Sequence, residues 1–374
     1  MNERRILIAA GGTGGHFYPG FALAQQLRGR GWQTLFLVKK DDIARPALDE
    51  ADLPYTEIDM SSLPRTLNPA AHAAFLFKLF ASLAQARRIV ADFRPDAVLG
   101  TGSYVAFPAL AAARLAGVKT YIHESNAKFG LGNYLAGFFC DKAVLGLPMR
   151  ANPFGAKSAL AGTPVRAAFA VKPGKSAALA ALGLEPGKPA VLIFGGSQGA
   201  RRLNAATVKS AAALRGRLQL IHIAGRKNFE AVAAAYAAAG LAGAAWLKVF
   251  DYREDMPQLY AAADLVICRS GAGTVAELAL LEKPAILVPL PTSAGGHQKE
   301  NALALAGPGA AVCLEESPDF ENALTRRLEE LIAGPAKLAA MADSFKKTGV
   351  PDALKAAGLL ADIIENGIPD MRRK

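Results

Sequence analysis

One local pattern constrains the fold more than any other, and it occurs twice. The apolar run Ile6-Leu7-Ile8-Ala9-Ala10 leads into Gly11-Gly12-Thr13-Gly14-Gly15-His16 and then into the helix-periodic stretch Phe17 to Leu27. Ala190 to Phe194 leads in the same way into Gly195-Gly196-Ser197-Gln198-Gly199-Ala200 and the helical pattern Ala200 to Leu214. A short apolar run without alternation reads as a strand covered on both faces, the kind found in parallel sheets. Glycine at the strand exit permits positive φ or close approach of a ligand.

Behind each start the alternation continues. Strands are expected over Gln33 to Val38, Ala97 to Leu99, Lys119 to His123 and Lys142 to Leu145, with helices over Asp41 to Ala51, Asn68 to Phe93, Val105 to Leu115 and Leu131 to Phe139. The second half continues with strands Leu218 to Ala224, Trp246 to Phe250, Ala261 to Cys268, Ala285 to Leu290 and Ala311 to Leu314. Thr163-Pro164-Val165-Arg166 reads as a domain junction, and Pro173-Gly174-Lys175 and Pro186-Gly187-Lys188 behind it read as surface turns. The expected class is α/β, with two Rossmann-like doubly wound parallel-sheet domains (1–163 and 164–349) facing across a cleft. At 374 residues and 52% apolar composition, the chain can fill two such cores.

Lys+Arg 43 against Asp+Glu 32 gives +11, which favours polyanionic partners such as nucleic acid, anionic lipid or phosphorylated substrates, or simply a basic soluble protein. Cys140, Cys268 and Cys313 are far apart, as expected of reduced thiols in a cytoplasmic protein. No secretory signal or membrane span is expected, because the long uncharged stretches are alanine-rich and broken by glycine. Neither glycine loop is a true G-x-G-x-x-G, and no acid ends the second strand, which disfavours a dinucleotide site. Gly174-Lys175-Ser176 lacks the upstream glycine of a P-loop, and the scattered histidines argue against a metal.

A third strand–turn–helix lies at Cys268-Arg269-Ser270-Gly271-Ala272-Gly273-Thr274-Val275-Ala276-Glu277, and its helix N-terminus suits a nucleotide diphosphate. Thr274 and Glu277 have capping-box spacing, and Glu277 is also placed to accept hydrogen bonds from ribose hydroxyls; the two roles are compatible. His16 opens a helix behind its loop, either as a solvated histidine or as a diphosphate ligand or base. His123-Glu124-Ser125-Asn126 closes another strand and offers a carboxylate and an amide to a substrate. In the helical stretch Ala73 to Phe80, Phe75, Leu76, Leu79 and Phe80 share a face that is either core or membrane-facing, with Arg87-Arg88 beyond it.

Taken together, Gly11-Gly12-Thr13-Gly14-Gly15-His16-x-x-Pro19-Gly20, His123-Glu124-x-Asn126, Gly196-Ser197-Gln198-Gly199-Ala200, Arg269-Ser270-Gly271-Ala272 with Glu277, and His297-Gln298-x-x-Asn301-Ala302 resemble the MurG family of N-acetylglucosaminyltransferases, over nearly the whole chain. The resemblance implies a GT-B fold with a C-terminal helix near 350–374 packing back on the first domain. It implies inverting transfer from UDP-N-acetylglucosamine to the C4 hydroxyl of the undecaprenyl-diphosphate acceptor lipid I, giving lipid II. No bound metal or other cofactor is implied, and no nucleic-acid partner. The expected place of action is the cytoplasmic face of the cell membrane, peripherally, on anionic lipid. His16 and Glu124 are the implied catalytic candidates. The implied substrate-binding set is Thr13, Gly14, Gly15, Asn126, Arg166, Ser197, Arg253, Ala272, Gly273, Thr274, Val275, Ala276, Glu277 and Gln298. The chain departs from the family at Ser125, usually glutamine, at the glycine-rich approach Ser293 to Gly296, and at Gly273, where a larger apolar residue is common. Competing readings are a glycosyltransferase for another lipid or natural-product acceptor, a nucleotide-sugar sensor and, most distantly, a dinucleotide oxidoreductase.

Overall fold

The computed structural model describes residues 3–60, 64, 68–196 and 199–368. In chain order the elements are β1 (Arg5–Ala9), α1 (Gly14–Arg28), β2 (Gln33–Lys39), α2 (Arg45–Glu50), β3 (Tyr55–Ile58), α3 (Pro69–Phe93), β4 (Ala97–Gly100), α4 (Ala106–Leu115), β5 (Lys119–Glu124), α5 (Leu131–Gly137), β6 (Lys142–Leu145) and β7 (Ser158–Leu160). They continue with α6 (Lys175–Ala181), β8 (Ala190–Phe194), α7 (Arg201–Ala213), β9 (Gln219–Ile223), α8 (Phe229–Ala238), β10 (Leu247–Phe250), α9 (Met256–Ala262), β11 (Leu265–Cys268), α10 (Ala272–Leu281), β12 (Ala285–Leu287), α11 (His297–Ala306), β13 (Ala311–Cys313), α12 (Phe320–Ile332), α13 (Pro335–Asp343) and α14 (Ala356–Gly367). The chain divides into two compact units: Met1–Arg166 with Pro351–Lys374, and Ala167–Val350.

The first unit is built on a parallel sheet in the order β3-β2-β1-β4-β5-β6-β7. Successive β1 side chains point to opposite faces. Ile6 and Ile8 join a core with Phe17, Leu23 and Leu27 of α1, Leu48 of α2 and Leu360 and Ile364 of α14. Leu7 and Ala9 join the other core, with Ala86 and Val90 of α3 and Ala109 and Leu110 of α4. Both faces are therefore covered, which explains the unbroken apolar runs. Helix α14 is held to this unit by polar contacts as well. Arg30 Nη1 lies 2.6 Å from both Asp362 and Glu365, Trp32 Nε1 donates to Glu365 at 2.9 Å, and the Tyr121 hydroxyl donates to Ile364 O at 3.2 Å. Helix α3 starts where Asn68 accepts from Ala70 N at 3.0 Å and Pro69 supplies a preset φ, and it ends at Arg94 in the left-handed region.

The second unit repeats the plan with a parallel sheet in the order β10-β9-β8-β11-β12-β13. Phe320, Leu324, Leu328 and Leu331 recur at helical spacing along α12 and bury one stripe in this core. In both sheets the strand order reverses beside the first strand, between β1 and β4 and between β8 and β11. That reversal is where open α/β sheets bind ligands.

Several sequence expectations are corrected. The run Ala261 to Cys268 is not one strand: Ala261 and Ala262 finish α9, and only Leu265–Cys268 extends. Of the two expected turns, that at Gly187 forms with φ +86, whereas Lys175 begins α6 (Lys175–Ala181), which buries Ala178 and Leu179. Strands β3 and β7 were not expected. They are the two edges of the first sheet, and their partly exposed residues give a weaker apolar signal.

Candidate active site

In the first unit the loop after β1 is shaped by a carboxylate from the loop after β2. Asp42, 8% exposed, accepts from Gly12 N at 3.1 and 2.9 Å through its two oxygens, and from Ala44 N at 2.9 Å. Gly11 has φ +133, and a Cβ there would lie 2.6 Å from Asp42 Oδ2, so both conformation and space require glycine. Thr13 is the N-cap of α1 in extended conformation; the amides of Gly14 and Gly15 follow it in the first turn, where no intrahelical acceptor exists. Thr13, Gly14 and Gly15 are exposed, as an anion site at a helix N-terminus requires.

Pro19 lies inside α1 and has no N–H for the carbonyl of Gly15 four residues earlier. The Ser125 hydroxyl donates to that carbonyl at 3.3 Å. Ser125 is in turn 3.5 Å from Nδ1 of His123, whose Nε2 donates to Gly162 O at 3.0 Å. His123 is fully buried, and desolvation lowers its pKa.

His16 is half-buried, and its ring lies over Gly102 in the loop after β4. A Cβ on Gly102 (φ +101) would stand 3.1 Å from His16 Cδ2, 3.2 Å from Nε2 and 3.1 Å from Asn133 Nδ2. The loops after β1 and β4 and helix α5 therefore meet at the strand reversal. Ser103 Oγ and Asn133 Oδ1 are buried here without a hydrogen-bond partner among the described residues. Buried polar atoms left in that state call for a reason, and a ligand group is one.

Glu124 is enclosed by donors. It is 3% exposed, and its Oε1 accepts from Asn126 N (3.1 Å) and Asn126 Nδ2 (2.8 Å), its Oε2 from Gly130 N and Asn133 Nδ2 (3.0 Å each). Four donors use the lone-pair sites of the carboxylate, and Glu124 thereby shapes the loop to Gly130. Asn126 belongs to that same turn.

In the second unit the turn after β11 opens α10. Gly271 is the N-cap, and the first intrahelical bond runs from Val275 N to Gly271 O at 2.9 Å. The amides of Ala272, Gly273 and Thr274 precede that bond and point out of the helix. Apart from its chain neighbours and its own helix backbone, nothing among the described residues lies within 4 Å of a Cβ placed on Gly273, so this side of the turn is open to a ligand. Thr274 therefore lies inside the helix, and no side chain caps α10; the expected capping box does not form. Glu277 instead accepts from the Tyr260 hydroxyl of α9 at 2.9 Å. Val275 and Ala276 are buried and pack the helix down.

Two further segments are tied to this turn. Ser270 Oγ donates to Gln298 O at 2.7 Å, and Asn301 Nδ2 donates to Ser270 O at 3.0 Å. Gln298 Oε1 accepts from Leu290 N at 2.9 Å. Arg269 donates to the carbonyls of Val288 and Pro289 at 3.2 Å each. The glycine loop begins at the end of β8, the strand paired with β11: Gly196 has φ +83, and Gly199 N donates to Gly196 O at 2.9 Å. Ser197 lies outside the described residues.

Arg253 stands apart from this group. It follows β10, the edge strand, and its guanidinium is paired with both oxygens of Asp255 and stacked 4.6 Å from the Phe250 ring centroid. The pairing with Asp255 raises its pKa. Arg166 is exposed at the end of the first unit's long segment. Sequence reasoning did not assign roles to Asp42, Asn133 or Tyr260, because each acts through a partner 9 to 30 residues away in the chain.

Residues 6–145 match the glycosyltransferase family 28 N-terminal domain, and residues 190–357 match its C-terminal domain. A curated protein of Elusimicrobium minutum, named UDP-N-acetylglucosamine--N-acetylmuramyl-(pentapeptide) pyrophosphoryl-undecaprenol N-acetylglucosamine transferase, is 39% identical over 97% of this chain and 99% of its own. A protein of the same name from Halorhodospira halophila is 38% identical over 98% of this chain and all of its own. Among solved structures, Acinetobacter baumannii MurG superposes with a TM-score of 0.80 at 30% identity, covering 97% of this chain and 99% of that one. The calicheamicin glycosyltransferase CalG4, at 16% identity and a TM-score of 0.67 over 98% of both chains, shares the fold. Two domain matches in order, two strand reversals each carrying an open helix N-terminus, and full-length relatives at this identity lead to one conclusion: the chain belongs to glycosyltransferase family 28.

Proposed function

We infer that the chain is an inverting N-acetylglucosaminyltransferase that moves the sugar from UDP-N-acetylglucosamine to the C4 hydroxyl of lipid I, giving lipid II. The observation that carries this reading is the open N-terminus of α10, braced by Ser270, Gln298 and Asn301 and followed one turn on by Glu277, in a chain whose full-length relatives bear that activity's name.

Each role follows from the chemistry. UDP gains negative charge as it departs, and fixed amide dipoles at Ala272, Gly273 and Thr274 stabilise that charge without reorganising. Glu277, oriented by Tyr260, accepts from the ribose hydroxyls. The family resemblance also assigns Ser197, Gln298 and Arg166 to the sugar nucleotide, Arg166 supplying a positive charge. In the first unit, Thr13, Gly14 and Gly15 present amides to the acceptor's diphosphate. His16, held over Gly102, takes the proton of the attacking hydroxyl or holds that diphosphate. Asn126 reaches substrate from the turn that Glu124 shapes. Positioning two substrates supplies most of the catalysis, since no covalent intermediate is needed.

The acceptor is lipid-linked, and the reading includes peripheral contact with the cytoplasmic face of the membrane. Phe75 and Leu79 pack into the first unit's core, whereas Leu76, Phe77 and Phe80 of α3 are exposed. The same helix carries Arg87 and Arg88 toward its other end, both exposed and suited to anionic headgroups. No helix of the described residues is long and apolar enough to cross a membrane.

The test is UDP release on mixing protein, UDP-N-acetylglucosamine and lipid I, with and without EDTA. Lipid I-dependent release that survives EDTA is expected. Binding of the sugar nucleotide without release on adding lipid I would identify a sensor, and release with a sterol or diacylglycerol in place of lipid I would identify a different acceptor.

A further inference from the structure

Glu316, just beyond β13, is a carboxylate with only 5% of its side chain exposed. Its Oε1 is 2.6 Å from Arg269 Nη2, and its Oε2 is 3.6 Å from Arg202 Nη1. The Arg269 side chain is itself only 12% exposed and also holds the carbonyls of Val288 and Pro289. Arg202 lies in the first turn of α7, directly behind the glycine loop, and donates to Ser317 O at 2.6 Å. One buried carboxylate thus joins the turn after β11, the segment after β12 and the start of α7. The first of these opens α10, and α7 follows β8, the strand paired with β11.

Stability alone does not account for such an arrangement. Desolvating a carboxylate and a guanidinium often cancels their attraction, and apolar groups of similar volume would hold the segments as well. A guanidinium fork adds direction, because its planar donors fix the angle at which carbonyls and a carboxylate can approach. Ser270 and Gly271 follow Arg269 immediately, so the pose of Arg269 sets where the amides of α10 begin.

We propose that Glu316 is a positioning residue for the sugar nucleotide: through Arg269 and Arg202 it aligns the turn after β11 with the start of α7, without touching substrate. The proposal rests on the reading of the α10 end as the UDP site. It separates Glu316 from the other ion pairs of this unit, such as Arg217 with Glu329, whose side chains are about half exposed.

The variants are Glu316→Gln, Arg202→Met and, as a control, Glu329→Gln. The readouts are the Kd for UDP-N-acetylglucosamine by calorimetry, KM for each substrate and the thermal midpoint. Glu316→Gln should raise Kd and KM for the sugar nucleotide about tenfold or more, the scale expected of a misaligned site. KM for lipid I should stay within about twofold, because the misaligned amides serve only the sugar nucleotide. Arg202→Met, which cuts one arm from a half-exposed side chain, should show a smaller change in the same direction and serves if Glu316→Gln does not fold. Glu329→Gln should leave both constants unchanged. A lowered midpoint or active fraction with unchanged sugar-nucleotide Kd would overturn the proposal, as would wild type that does not bind UDP-N-acetylglucosamine at all. Wild type that binds but does not transfer would sink the proposed reaction alone, and the Kd comparison would still decide on Glu316.

Discussion

The Tyr260 hydroxyl donates to Glu277 Oε2 across 2.9 Å, so the last turn of α9 sets the orientation of a carboxylate in the second turn of α10. Tyr260 is fully buried and sits edge-on to Phe169 and Phe194, with centroids 5.8 and 6.0 Å away. A rigid ring therefore holds the acceptor group that the ribose is proposed to use. Glu277→Ala should weaken UDP-N-acetylglucosamine binding strongly with the fold intact. Tyr260→Phe should weaken it less, by about 1 kcal/mol, the scale of one hydrogen bond. Calorimetry on both variants decides this, and equal affinities for wild type and Glu277→Ala would remove the ribose role.

Gly102 bears on His16 in the same indirect way. Alanine there would need an unfavourable φ and would push on the His16 ring and the Asn133 amide together. Gly102→Ala should lower kcat about tenfold or more by moving His16 from its working position. Stopped turnover of His16→Ala with near-normal turnover of Gly102→Ala would show that the ring does not need this seat.

Two buried imidazoles make stability depend on pH. His222 is fully buried, and desolvation pushes its pKa down from 6.5 to about 3; His123 is lowered for the same reason. His222 Nε2 donates to Asn204 Oδ1 at 3.1 Å and its Nδ1 accepts from the Tyr236 hydroxyl at 2.9 Å, a pattern that only the neutral ring can make. The folded ring stays neutral while the unfolded one takes up a proton below pH 6.5. For His222 the stabilisation is therefore complete above that value and is lost as pH falls toward 3, by up to about 1.4 kcal/mol per pH unit, and His123 acts in the same direction. The thermal midpoint should fall between pH 7 and pH 5, and less so in His222→Gln. Parallel profiles for the two proteins would contradict the assignment.

The exposed end of α3 predicts a separable membrane function. Phe77→Ser with Phe80→Ser removes two side chains that are 76% and 68% exposed, so stability should change little. Cosedimentation with vesicles containing anionic lipid should drop severalfold, while turnover on a short-chain, water-soluble acceptor should be unaffected. Undiminished cosedimentation would place the contact elsewhere.

Local chemistry determined much of this protein. Apolar runs without alternation specified buried parallel strands, and the glycines at 11, 12 and 196 marked turns with positive φ that no other residue enters easily. These signals span a handful of neighbouring residues, so the two repeated units and the turns at their strand reversals were legible. What Glu277 and Glu124 bond to was decided only by tertiary structure. Thr274 and Glu277 have capping-box spacing, yet α10 begins two residues earlier and Tyr260 takes the carboxylate. Glu124 has the chemistry of a base, yet the chain folds four donors onto it. The hold of Asp42 on Gly12 and of Glu316 on Arg269 likewise joins residues 30 and 47 positions apart. A hydrogen bond acts over about 3 Å, and which distant segments come that close depends on sheet order and packing, which no short stretch of sequence contains.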